Sequence, residues 1–94
     1  MSDIEELVER LRGLPPHPPG DARELAELLA AVTSAAGRWA EVLYDLRNSA
    51  RTLAGPRAFA ALELAFRKAE ESYVELELAH GDLRARTRGG PARS

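Results

Sequence analysis

The chain has 94 residues and no cysteine, which excludes disulfide staples and thiolate metal sites. Its apolar share of 45% is mostly Ala and Leu, with only 5% aromatics, a composition that forms helices readily and strands poorly. The formal net charge of −2 gives no bulk attraction to nucleic acid or to an anionic membrane, and one domain of this size has marginal stability by itself.

The first predicted element is a short helix over 2–12. Ser2 and Glu5 have the spacing of a capping box, and Ile4, Leu7, Val8 and Leu11 make one apolar stripe. Gly13 suits the position after its last turn. The segment is acidic and amphipathic, not basic then apolar as a secretory leader would be, so a cytoplasmic location is the default expectation. A helix this short must dock on another element to persist.

Residues 13–20 read as a stiff spacer, because Pro15, Pro16, Pro18 and Pro19 remove donors and favour extended backbone. His17 within it reads as solvated. A long helix follows over 21–54, opened by the Asp21 and Glu24 capping pair. Leu25, Val32, Trp39, Leu46 and Leu53 recur every seven residues, with Leu28, Leu29, Ala35, Ala36, Val42, Leu43 and Ala50 filling the flanking positions. The phase survives Gly37, so one helix is expected there, and its phase with the leucines puts Trp39 in the core. Tyr44 lies off the stripe, among Arg38, Arg47 and Arg51, where an aromatic can anchor an interface.

Gly55-Pro56 ends that helix and starts a third over 56–88. Phe59, Phe66, Tyr73 and His80 form one heptad row and Leu62, Ala69, Leu76 and Leu83 the other. Ala58, Ala65, Ser72 and Ala79 flank them, small enough to let another helix approach closely. Leu64, Val74 and Leu78 point away from this seam. Residues 89–94 read as a flexible basic tail, with Arg84, Arg86, Arg88 and Arg93 the arginines around the helix end.

These elements predict an all-α single domain: a long antiparallel helical hairpin plus a short N-terminal helix. The hairpin leaves apolar surface over, so two copies are expected to pair into a four-helix bundle, with a monomeric three-helix bundle as the alternative. The expected interface residues are Leu25, Leu29, Trp39, Tyr44, Leu64, Val74 and Leu78.

Chemistry is thin. Glu77 and His80 spell the Glu-x-x-His pair of di-iron bundles, but the facing stretch near Val32 to Ala36 offers no carboxylate. No Gly-rich phosphate loop occurs, and no nucleophile sits beside a base. No enzyme activity, metal or cofactor is expected. Arg84, Arg86 and Arg88 are the residues that would touch phosphates, yet no recognition helix or aromatic platform accompanies them, so nucleic acid is not the expected partner. No apolar run reaches the ~20 residues needed to span a membrane. The expected role is a non-enzymatic protein–protein interaction module, an adaptor, assembly or regulatory factor whose first partner is a second copy of itself.

The outline, an acidic cysteine-free helical hairpin of about this length, resembles the WXG100 family exported by type VII secretion systems. Tyr73-Val-Glu-Leu-Glu77 matches that family's Tyr-x-x-x-Asp/Glu signal. The family's Trp-x-Gly turn has no counterpart, since the joint here is Leu53-Ala-Gly-Pro56 and Trp39 lies mid-helix. The resemblance implies a secreted hairpin that pairs with a related chain and depends on Tyr73 and Glu77 for export.

Overall fold

The structure is a computed structural model that describes residues 3–15 and 17–89. It contains three helices, α1 (Asp3–Arg12), α2 (Ala22–Leu53) and α3 (Pro56–Gly89), and no strand among the described residues. Ser2, Pro16 and Arg93, and the tail from residue 90 onward, lie outside the described residues.

The helix ends follow from local chemistry. Gly13 N–H donates to the carbonyls of Glu9 and Arg10, closing α1. At the start of α2 the Asp21 carboxylate accepts from Glu24 N–H at 2.8 Å, while the Glu24 carboxylate reaches back to Gly20 N–H at 2.7 Å. This is a reciprocal cap whose return bond lands one residue before the usual position. Ala54 closes α2 in extended backbone, its N–H donating to Ala50. The Gly55 carbonyl then accepts from Phe59 N–H, and Pro56, with no N–H to satisfy, fills the first position of α3.

α2 runs unbroken through Gly37. The glycine has a packing reason: a Cβ there would stand 3.2 Å from Cε1 of Tyr73. The missing side chain seats the tyrosine ring against the α2 backbone, which offsets the roughly 1 kcal/mol that glycine costs inside a helix. Gly37 with Tyr73, Tyr44 with Phe66, and Arg47 with Glu63 are all contacts across the hairpin, and each pair is equidistant in sequence from Gly55. α2 and α3 are therefore antiparallel neighbours in one register along much of their length.

Arg47 pins this register. Its guanidinium lies 4.8 Å from the Tyr44 ring centroid, 5.5 Å from Phe66 and 5.9 Å from Phe59. It donates to Glu63 at 2.6 Å, and Glu63 also accepts from Arg67 at 2.8 Å. Hydrogen bonds from Arg47, then from Arg67, hold the Glu63 carboxyl below its ordinary range.

α1 packs on α2 and does not reach α3. Glu6 pairs with Arg38 at 2.6 Å, and the linker folds back so that Pro15, Pro18 and Pro19 lie near Leu28 and Ala31 of α2. The spacer is thus a strap along the start of α2, with His17 exposed as expected. With α1 and α3 on two sides of α2 and not touching one another, the chain is an open layer of extents 56 × 26 × 20 Å and not a closed three-helix bundle.

Two outcomes test the Arg47 cluster. Replacing Arg47 by Ala removes the stacked cation and its apolar stem, and thermal unfolding should show a loss of about 1–2 kcal/mol. Glu63 has a depressed pKa, so its contribution is complete above the ordinary value of 4.5 and is lost as pH falls through the folded value. The melting temperature of the native chain should therefore drop below that pH more steeply than that of Glu63→Gln.

Candidate functional site

Every buried side chain among the described residues belongs to α2: Thr33, Ala35, Ala40, Val42, Leu43 and Ala50. None is larger than leucine, and no large side chain is fully buried. The chain exposes 6844 Å², against roughly 5,400 Å² for a compact monomer of this mass. The core is thin because α2 has one apolar side more than it has neighbours.

The rows of α2 make this concrete. Side chains three and four residues apart adjoin on a helix surface. Leu28, Ala35 and Val42 lie on the side of α1, where Arg38 meets Glu6. Leu29, Ala36, Leu43 and Ala50 lie on the side of α3. Leu25, Val32 and Trp39 each sit three residues before a member of the first row and four before a member of the second, so they lie between the flanking helices, and Leu46 and Leu53 continue the same row past the Arg38–Glu6 contact with α1. Val32 is half-buried and the other four are exposed. Trp39 is 46% exposed, Leu46 45% and Leu53 83%. The expectation that Trp39 lies in the core is thus corrected. The heptad phase is right, but the neighbours took the two flanking rows and left the central one open.

The other helices turn surface poor in charge to the same face. In α3, Phe59, Phe66, Tyr73 and His80 with Leu62, Ala69, Leu76 and Leu83 are all half-buried and form the seam with α2. One flank of that seam is Glu63, Glu70 and Glu77. Glu70 shares a groove with Glu41 of α2, which fixes this flank on the polar side of the layer. The other flank, Ala58, Ala65, Ser72 and Ala79, therefore borders the Trp39 row. In α1, Glu6 lies on the polar side with Arg38, which places Ile4, Val8 and Leu11 toward the apolar side; Ile4 and Leu11 are about half exposed. The row of α2 diametrically opposite, Glu27, Ser34, Glu41 and Asn48, is polar throughout. The result is a layer with one face poor in charge, large side chains down its middle helix and small ones beside them, with Lys68 next to Ala65 and Ser72 at its edge.

The remaining expected interface residues fall elsewhere. Leu25 belongs to the open row and is 38% exposed, while Leu29 is half-buried on the α3 side. Tyr44 is exposed on the polar face, where Arg47 alone of the three nearby arginines stacks on it; Arg51 stacks on Phe59 at 5.0 Å and Arg38 is engaged by Glu6 and Glu41. Leu64, Val74 and Leu78 are exposed on the outer edge of α3 and do point away from its seam, interspersed with Arg67, Glu71 and Glu75. The expected interface residues include Trp39 and Leu25 but not Leu46 and Leu53, which share their row. Their seven-residue spacing from Trp39 was the available signal.

Arg84 and Arg86 do not share a face of α3. They are two residues apart, roughly 200° around the helix, and Arg86 is paired with Asp82 at 3.1 Å. The side chain of Arg88 lies outside the described residues. Glu77 accepts from the Tyr73 hydroxyl at 2.7 Å, and no group of three metal-ligating side chains occurs among the described residues. Thr33, on the turn of α2 facing Glu77, is buried with its hydroxyl unpaired. No helix is long and apolar enough to cross a membrane among the described residues.

Comparisons of the chain with protein-family models, with curated proteins and with solved structures find no match.

The Tyr73–Glu77 bond raises the tyrosine pKa above its ordinary value of 10.0, first through the hydrogen bond and then through the carboxylate charge. Its contribution is complete below that value and is lost as pH rises through the folded one. Tyr73→Phe should therefore flatten the alkaline decline of the melting temperature, measured from pH 8 upward.

Proposed function

We propose that the protein is a non-enzymatic interaction module that works as a twofold dimer, two layers closing face to face into a helical bundle around Trp39, Leu46 and Leu53. The observation that carries this reading is the charge-poor face with its exposed central row. The chain exposes roughly 1,500 Å² more than a compact monomer, whereas a stable interface removes about 800 Å² per partner. The alternation of large and small side chains supports a second copy as the occupant. In the hairpin register Trp39 lies beside Ser72, Leu46 beside Ala65 and Leu53 beside Ala58. A twofold operation can set the large row of one copy on the small row of the other, reciprocally.

Dimerisation would leave the polar face outward on both sides, available to other proteins. That arrangement suits an adaptor, assembly or regulatory factor better than a catalyst, because the described surface holds no convergent set of acid, base and nucleophile.

Light scattering on a sizing column checks the reading. The native chain should elute at twice its 10.3 kDa mass over a wide concentration range. Leu46→Glu places a charge at the centre of the face and should give the monomer, whereas Leu78→Glu, on the outer edge of α3, should leave the dimer intact. A native chain that is monomeric throughout, or a Leu78→Glu variant that dissociates while Leu46→Glu does not, would refute it.

A further inference from the structure

We propose that the aromatic groove on the polar face receives the guanidinium of an arginine presented by a basic segment of a partner protein. The groove has a volume of about 540 Å³ and runs between α2 and α3. Its apolar lining is Tyr44, Phe66 and Tyr73, with Gly37 and Ala40 at the α2 side. Glu41, Asp45 and Glu70 also line it. It faces away from the proposed dimer contact and does not depend on it.

Charge complementarity selects the occupant. Glu41 is paired with Arg38, but among the described residues Asp45 and Glu70 are in no ion pair. Two carboxylates without an ion pair thus line the groove beside its aromatic rings. Aromatic rings attract a cation to their faces, and desolvation along the groove strengthens that attraction. The rings already display the chemistry once: Arg47 stacks against Tyr44 and Phe66 and donates a hydrogen bond to the Glu63 carboxylate. A planar guanidinium with several donors suits a lining of rings and two carboxylates better than a compact ammonium does. Tyr44, 44% exposed, keeps ring surface for the second cation.

The test is a titration of the full chain with acetyl-Gly-Arg-Gly-amide, followed by the side-chain NMR signals of Tyr44, Phe66 and Tyr73. The lysine peptide and the uncharged citrulline peptide serve as comparisons. Saturable shifts at these rings with the arginine peptide are expected, with weaker binding of lysine and none of citrulline. The double variant Asp45→Asn/Glu70→Gln changes only exposed groups without ion pairs and should weaken arginine binding at least fivefold, with its melting temperature unchanged. Equal binding of the citrulline peptide, shifts confined to other acidic surfaces, or unweakened binding by the double variant would each overturn the proposal. So would the absence of saturable shifts up to about 20 mM peptide, the range in which a single side-chain contact is measurable. None of these outcomes bears on the oligomeric state, which the Leu46→Glu experiment reads separately.

Discussion

A helix with apolar side chains on three adjoining rows needs neighbours on all three, and α2 has neighbours on two. The rest of the molecule follows from that mismatch. α3 takes one flank and adds the Arg47 cluster. α1, only ten residues long, takes part of the other and is held by Glu6, Arg38 and the folded proline strap. The central row from Leu25 to Leu53 is left as an open trough on the apolar side. Among the described residues only three alanines, a threonine, one valine and one leucine are buried. That is little apolar transfer for 94 residues at ~25 cal/mol per Å². A fold built this way gains most of what it lacks from whatever closes the trough.

The two sides of the layer divide the work. On the apolar side, small α3 residues beside large α2 residues make a surface that is stepped and not flat, which favours interdigitation over loose association. On the polar side, aromatic rings and carboxylates are arranged around a cation that is structural at Arg47. The same chemistry reaches the surface in the groove above Tyr44. Tyr73 belongs to the polar side: its ring packs where Gly37 has no side chain, and its hydroxyl donates to Glu77.

Much of the architecture was legible in the sequence because heptad spacing and helix caps are local signals. Asp21 with Glu24, Gly55 with Pro56, and the seam from Phe59 to Leu83 all act through neighbours in the chain or through a period. The unbroken phase across Gly37 indicated one helix for the same reason. What the period cannot say is which row of a wide stripe meets which neighbour. Trp39 and Leu46 look identical to core residues in the sequence, and only the placement of α1 and α3 on the rows to either side leaves them open. The groove was equally hidden. Tyr44, Phe66 and Tyr73 belong to different helices, and Glu41, Asp45 and Glu70 look like an ordinary solvated surface until the hairpin register brings them together. The Tyr73 and Glu77 pair read as a motif in a one-dimensional pattern, whereas in the fold they are one turn apart on α3 and bonded to one another.

Trp39 is the single tryptophan of the chain and stands at the middle of the uncovered row, so its environment reports the central claim directly. The decisive measurement is its emission wavelength and acrylamide quenching across a dilution series. A covered face predicts blue-shifted, weakly quenched emission at high concentration that moves red as the chain is diluted to dissociation. Water-exposed emission with full quenching at every concentration would contradict it and leave the row open in solution.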